Sequence, residues 1–492
     1  MEKKKKHKEA KDVKVEEVHT REVVREESNK VVKKDHSLFK VLLIAFLVIV
    51  VLTWIIPSGT FNGAEYTKAD LVRTGINEVF LSVFYGANYY LLHIFFLFAV
   101  GIFYSVISKT NGYTKMIKKI AKLFKNREKL FVLLVSLIIT LMSSMFTQVF
   151  VPVIFIPMIY SVAKELKLNK ITTVLMTFGA LMAGLIGSTF TTYGTEYMYN
   201  YMNVAYTDGL VVRFAILALS YLLLNVFIII NNKKNKHNEE TNEIFVASGQ
   251  DKGKSWPYFL IFGLLFVLTI LGYVGWSSVF KFDVFTNFHT WLTTEVLIAK
   301  HPIFGYILGN ATAFGSWDIF TITYIMIIIV IFVKLFARIK FDEVLDRAVS
   351  GIEKMLKPVM LITFAYALFV ISYWSGITNT IVNWLNNTSN FNPYLNALGN
   401  AIASALHVDF GFTGFSFSAF YAAKWADNTK AILTIMTSMN GLMSLVAPTS
   451  IYMLVGLSLS DISYKKWIKA IWKYFVAMLV VLMIIFTLIT YL

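Results

Sequence analysis

Apolar residues run along this chain in blocks of about twenty, separated by shorter polar and basic stretches. A helix needs roughly 20 mostly apolar residues to cross about 30 Å of hydrocarbon. Runs of that kind fall at about 38–56, 88–108, 209–231, 256–275, 317–337, 354–375 and 467–491, and each predicts one membrane-crossing helix. The first is longer than the apolar core of a secretory signal and ends in Trp54, Ile55, Ile56 and Pro57 rather than in small residues, which predicts a retained helix. Three further stretches, 129–163, 171–206 and 393–456, are too long or too interrupted for a plain span.

The interruptions predict two kinds of element. Residues 129–163 read as a hairpin that turns at Ser143, Ser144, Met145, Phe146, Thr147 and Gln148, and 393–426 as a second hairpin that turns at Asp409, Phe410, Gly411, Phe412, Thr413 and Gly414. Arms of about 14 residues reach roughly 21 Å, which would put both turns near mid-membrane. Each hairpin is followed by an overlong apolar segment. As one helix, 171–206 would extend about 54 Å, so a break is expected at Gly184, Gly187, Ser188, Thr189, Phe190, Thr191, Thr192, Tyr193 and Gly194. In 428–456 the break is expected at Asn440, Gly441, Ser444, Pro448, Thr449 and Ser450, where the proline removes a helix hydrogen bond.

The two halves then present the same elements in the same order but opposite direction: a span, a hairpin, a broken span and a plain span. The fold class expected is an all-α polytopic membrane protein with about nine transmembrane helices plus two re-entrant hairpins in an inverted repeat. The domain reading is a tail at 1–37, a first repeat with its leading helix at 38–231, a cytoplasmic loop and linking scaffold at 232–353, and a second repeat at 354–492. Inverted repeats whose broken helices meet near the bilayer midplane are the plan of secondary transporters. Unwound peptide groups cost several kcal/mol each in lipid unless they face protein or water, so the breaks mark a polar interior.

Composition sharpens this picture. The 492 residues are 57% apolar and only 15% charged, against roughly 25% charged in an ordinary soluble domain. A water-soluble globular protein is excluded. The formal charge of +16 is concentrated between apolar runs, which points to membrane topology and not to nucleic acid. Placing the N-terminus in the cytoplasm puts 39 of the 46 Lys and Arg on the inner face of a cell membrane and leaves Lys68, Arg73, Arg213, Lys281, Lys300, Lys424 and Lys430 outside, with the C-terminus external. Making 129–146 a full span would move Lys233, Lys234 and Lys236 to the wrong side. Residues 1–36 hold 12 basic and 9 acidic residues with few large apolar ones, which predicts a disordered cytoplasmic tail. The absence of cysteine excludes a disulfide framework, a thiolate metal site and a cysteine nucleophile.

Candidate chemistry lies at the four interruptions. The substrate- or ion-binding candidates are Ser143, Ser144, Thr147 and Gln148; Ser188, Thr189, Thr191, Thr192 and Glu196; Asp409, Gly411, Thr413 and Gly414; and Ser444, Pro448, Thr449 and Ser450. Any one Ser or Thr is expected to do no more than hydrogen-bond a carbonyl one turn back; their clustering at matching places argues for more. Asp409 and Glu196 are the ionisable candidates, since charges within a membrane default to function. His93 and His407 read as packed residues, and Asp318 as a helix-end residue. Neither a catalytic or metal residue nor a cofactor is expected, apart from a coupling Na+ or H+.

Several segments resemble the YfcC family: Trp54-Ile-Ile-Pro57-Ser-Gly59-Thr-Phe61, the stretch Gly101 to Gly112, and above all Ala447-Pro448-Thr449-Ser450 followed by Tyr464-Lys-Lys-Trp467. That family lies within the anaerobic C4-dicarboxylate carrier-like proteins of the ion-transporter superfamily. The resemblance implies a secondary carrier with two re-entrant hairpins, commonly a homodimer, with members described as dicarboxylate carriers, basic amino-acid carriers and arginine/ornithine antiporters. The resulting expectation is alternating-access transport of a small charged organic solute across the lipid bilayer. A basic amino acid is favoured, because Asp409 and Glu196 could pair with a guanidinium and no Lys or Arg lies in the four interruptions. The alternatives are a C4-dicarboxylate or other organic-anion carrier, for which helix N-termini could supply the binding, and a membrane-embedded enzyme on a lipid-linked substrate using acids of the outer loops.

Overall fold

The computed structural model describes residues 36–234, 242 and 244–491. The predicted tail therefore lies outside the described residues apart from its last two. Helix α1 (Ser37–Thr53) is followed by a small hairpin of β1 (Gly59–Asn62) and β2 (Glu65–Lys68), antiparallel with Gly59 opposite Lys68. The turn sits at Gly63-Ala64, where Gly63 takes a φ of 57° that costs glycine least. Helices α2 (Ile76–Tyr89) and α3 (Leu91–Ile107) meet at a 63° bend. Then come amphipathic α4 (Asn111–Phe124), α5 (Glu128–Met145), and α6 (Ile156–Glu165) after a 3-10 turn at Val151–Phe155. Next are α7 (Lys170–Gly187), α8 (Glu196–Met202) and α9 (Leu210–Lys234). The linking region holds α10 (Trp256–Tyr273) and α11 (Ile319–Phe336). The second half is α12 (Phe341–Trp374), α13 (Ile377–Asn386), α14 (Pro393–His407), α15 (Phe410–Lys424), α16 (Thr429–Ser444), α17 (Ile451–Ser460) and α18 (Tyr464–Tyr491). Apart from the β1–β2 hairpin, this is a helical, multi-pass membrane fold. Seven of the described helices are long and apolar enough to cross a membrane, or eight if the bent pair counts as one more.

Both halves carry the same series. A short amphipathic helix (α4, α13) leads into a helical hairpin (α5–α6, α14–α15). A broken segment (α7–α8, α16–α17) and a long plain helix (α9, α18) complete it.

Four expectations are corrected. Helix α5 continues through Ser143 and Ser144, so the first turn is at 146–150, because both hydroxyls bond back to carbonyls three residues earlier and leave the helix intact. The second turn is only Val408 and Asp409; Gly411, Thr413 and Gly414 form the start of α15. The first tip is not at mid-helix depth: Thr147 N–H donates to Tyr273 O, at the C-terminal end of α10, because α5 is 18 residues long, about 27 Å, rather than 14. The span read at 354–375 begins at Phe341, since the added turns carry Asp342, Glu343, Asp346 and Arg347 and so hide from an apolarity criterion.

Close packing explains several glycines. A Cβ on Gly101 would stand 2.4 Å from Gly351 O, and one on Gly351 would stand 2.4 Å from Gly101 O, so α3 and α12 touch backbone to backbone. Gly184 does the same between α7 and α5, where a Cβ would stand 2.3 Å from Thr140 O. Gly441 of α16 faces Ile186 of α7, and there Ser438 Oγ donates to Ile186 O at 2.9 Å, so the two broken helices cross at their last turns. Small residues at such crossings let helices gain dispersion contacts where lipid supplies no hydrophobic drive.

The molecule sorts its loops into two ends. At one, Lys119 Nζ donates to Ser255 Oγ (2.9 Å), Lys118 pairs with Asp251 (3.6 Å), Arg347 donates to Val106 O (3.1 Å) and Lys357 pairs with Asp461 (3.0 Å). At the other, Asn379 donates to Gly59 O (2.9 Å), Phe61 stacks on Phe420 and Lys430 pairs with Asp208 (3.2 Å). The arms α5 and α6 run antiparallel around an apolar cleft of about 160 Å³, with Phe131 and Met142 on one wall and Phe155 and Val162 on the other.

Candidate functional site

The four interruptions assemble in pairs. Where α5 ends, Ser144 O has lost its helical donor; it accepts from Phe190 N (3.0 Å), Thr191 N (3.2 Å) and Thr189 Oγ1 (3.3 Å) of the first break. In return Thr191 Oγ1 donates to Phe146 O at 2.7 Å. The first tip and the first break are therefore one hydrogen-bonded unit. The break itself starts at Ser188, which takes a left-handed conformation (φ 38°) with its hydroxyl on Leu185 O.

The same break reaches the second tip. Asp409 is the N-cap of α15, with Oδ1 accepting from Gly411 N at 2.8 Å. Its Oδ2 accepts from the hydroxyls of Tyr193 (2.5 Å), in the first break, and Tyr366 (2.9 Å), on α12. Beside them the backbones of the two repeats nearly touch, since a Cβ on Gly194 would stand 2.8 Å from Gly411 N and one on Gly414 would stand 2.3 Å from Gly194 O. Asp409 thus has three donors, and no Lys or Arg pairs with it among the described residues. In the second break, Thr449 Oγ1 donates to Ala405 O of α14 at 2.6 Å, Ser444 bonds back to Asn440 O, and Ser450 caps α17 after the Pro448 turn.

The breaks release carbonyls that must be satisfied, and both halves do so in the same way. Leu445 O accepts from Trp467 Nε1 (2.8 Å) and Val446 O from Tyr464 OH (2.6 Å). The Tyr-Lys-Lys-Trp motif is therefore a lid on the carbonyls of the preceding break. In the first half Arg213 does this work: Nη1 donates to Ser188 O (3.1 Å) and to Tyr199 OH (3.2 Å), and Nη2 to Tyr206 O (2.5 Å) and Asp208 O (3.1 Å). Arg213 and Trp467 are each the fourth residue of the helix after the break. Arg213 is the only buried Lys, Arg, Asp or Glu among the described residues, and its Nε–H has no partner there. The nearby Asp208 carboxyl is held below its ordinary range, first by the Ala205 N–H and then by Lys430, so it stays charged on the surface.

Arg213 corrects the reading that no cation serves the interruptions. It lies outside them in sequence but reaches Ser188 O from α9. Sequence reasoning also missed a cluster of tyrosines: besides Tyr193 and Tyr366, Tyr90 stacks on Tyr366 (4.4 Å) and on His93 (3.9 Å), and Phe150 of the first tip lies 5.8 Å from Tyr452 of α17. Tyr193 and Tyr452, placed in and just after the breaks, were the available signal. Of the other candidates, Glu196 begins α8 as expected but is exposed, Thr192 and Gln148 are half-buried, and Thr147 Oγ1 is buried without a partner among the described residues. Thr413 Oγ1 lies 3.5 Å from His407 Nδ1, and His407 itself stacks on Phe417. Asp318 caps α11 through Thr321 N.

A helical membrane protein whose two halves each supply a hairpin and a broken helix to one polar centre is built as a secondary carrier. The chain belongs to the C4-dicarboxylate anaerobic carrier family (DcuC), whose model matches residues 35–491. Among solved structures it is similar to the YdaH transporter of Alcanivorax borkumensis, at 15% identity and a TM-score of 0.43 over 92% of this chain and 98% of that one. It is also similar to MtrF of Neisseria gonorrhoeae, described with a class of antimetabolite efflux pumps, at 13% identity and a TM-score of 0.31 over 93% and 95% of the two chains. Comparison with curated proteins gives no match.

Proposed function

We propose that this chain carries C4-dicarboxylates by alternating access, coupled to a cation held at Asp409, and is a carrier rather than an enzyme. The observation that carries the reading is Arg213: a buried guanidinium whose hydrogen-bond acceptors are three carbonyls and a phenol, while the one carboxylate that acts on it, Asp208, does so through space and is shared with Lys430. In a medium of low dielectric such a charge acts over many ångströms and favours an anion near the first break. Family membership supports the same solute class. Asp409, unpaired with any basic side chain, is the place for H+ or Na+ whose charge would offset part of the dianion's. We also place the basic end of the molecule in the cytoplasm, with the N-terminus inside and the C-terminus outside, on the excess of Lys and Arg there.

The second reading, a basic amino-acid carrier of the kind the YfcC resemblance suggests, rests on Asp409 alone. Uptake by the purified protein in liposomes separates the two. Labelled succinate should accumulate under an inward H+ or Na+ gradient, and Asp409→Asn should abolish that accumulation while leaving succinate–succinate exchange. Arginine–ornithine counterflow without any uptake of succinate, fumarate or malate would overturn the proposal in favour of the second reading.

A further inference from the structure

At the basic end of the molecule a cavity of about 540 Å³ opens where elements of both halves meet: the start of α7, the end of α9 and the start of α18. Lys170 stands on one side. Lys466, Lys469 and Lys473 stand on the other, spaced three and four residues apart so that they share one face of α18. No ion pair neutralises any of these four lysines among the described residues. The one acid on the wall, Asp461, is already engaged by Lys357 at 3.0 Å. Four ammonium groups around one cleft repel one another, and a bound anion would relieve that repulsion.

The rest of the cavity says what kind of anion. Its remaining wall is mostly apolar, with Phe227 and Ile230 of α9 and Ile171 of α7 beside Asn169 and Asn231, and Trp472 lies exposed with the Lys473 ammonium over its ring at 5.8 Å. Helices α9 and α18 are among the least buried of the membrane-length helices, so the groove between them lies on the outside of the helix bundle. Asn231 Nδ2 donates to Ala470 O at 3.1 Å and fixes the two helices at the cavity. A cluster of lysines above an apolar groove, with an indole at the rim, matches a phosphodiester headgroup with acyl chains.

We propose that this cavity binds the headgroup of an anionic phospholipid of the surrounding bilayer, with Lys170, Lys466, Lys469 and Lys473 on the phosphate. Because the lipid touches α7 and α9 of one half and α18 of the other, its occupancy ties the two halves together at this end.

The test measures thermal stability and lipid retention of the full chain in detergent micelles titrated with phosphatidylglycerol, with phosphatidylcholine, or with inorganic phosphate. Phosphatidylglycerol should raise the unfolding midpoint and stay bound, and the other two should not. The triple variant Lys466→Gln, Lys469→Gln, Lys473→Gln should weaken the phosphatidylglycerol response at least tenfold while its midpoint in phosphatidylcholine matches the parent, and the corresponding triple Arg variant should restore it. The triple variant Lys122→Gln, Lys125→Gln, Lys129→Gln removes as much charge from exposed positions at α4 and α5 and should bind as the parent does. An equal loss in that control, or an equal response to inorganic phosphate, would overturn the proposal.

Discussion

Arg213 shows how one side chain can be structural and electrostatic at once. Its fork meets four acceptors, Ser188 O at the first break, Tyr206 O and Asp208 O in the loop before α9, and the Tyr199 hydroxyl, and a guanidinium can do this because its N–H groups are fixed in a plane. Arg213→Met should leave three backbone carbonyls short of a donor, at about 1–3 kcal/mol for each that stays buried, so a marked loss of folded protein is expected. Arg213→Lys is the informative variant. It keeps the charge but not the fork, so the protein should fold with a lowered unfolding midpoint and carry succinate at least tenfold more slowly. If Arg213→Lys folds with a lowered midpoint yet transports at the parental rate, the charge and not the geometry is what the solute needs. If Arg213→Met transports normally, neither matters. The sequence hid this role because hydrogen bonds follow space and not chain order: Arg213 lies 25 residues after Ser188 in a run that reads as plain span. Asp409, in contrast, drew notice in the sequence as an acid within an apolar hairpin, and the structure places it at the second tip as the N-cap of α15.

At the scale of elements, the breaks were readable and the turns were not. Gly, Pro and Thr clusters cannot continue a helix without cost, so the breaks at 188–195 and 445–450 overlap the stretches 184–194 and 440–450 that composition marked, while Gly184, Gly187, Asn440, Gly441 and Ser444 stay helical. Ser143 and Ser144 misled because serine in a membrane helix satisfies its hydroxyl on its own helix and need not end it. Helices α2, α4 and α13 escaped notice because each is amphipathic or short, which an apolar-run criterion discards. The Tyr-Lys-Lys-Trp motif stood out by resemblance, and its physical reason emerges only when Trp467 and Tyr464 are seen on Leu445 O and Val446 O. Trp467 is fully buried and Tyr464 is not, so Trp467→Phe should lower stability by about 1–3 kcal/mol and Tyr464→Phe by less. Thermal unfolding of the two variants checks the order; equal midpoints to the parent would mean that the break's carbonyls find other donors.

At the scale of the molecule, what holds the two ends apart is the same charge pattern that suggested a topology. Segments 108–119, 248–255, 347–357 and 461 are distant in sequence, yet they contact one another at one end, while 57–68, 208, 379–380 and 430 contact at the other. Had 129–146 been a simple crossing, every later loop would have changed sides and residues 248–255 could not have met 108–119, as Ser248 and Ser108, Asp251 and Lys118, and Ser255 and Lys119 do. The hairpin is therefore required by contacts that do not involve it. Which end faces the cytoplasm is a separate question, and the sequence makes it easy to ask. With no native cysteine, a single introduced thiol reports its own side. Glu65→Cys, on exposed β2 at one end, and Lys252→Cys, at the other, can each be expressed in intact cells and treated with a membrane-impermeant maleimide. Labelling of Glu65→Cys in intact cells and of Lys252→Cys only after lysis is the expected result. The reverse pattern would place the basic end outside and would turn the whole carrier over in the membrane.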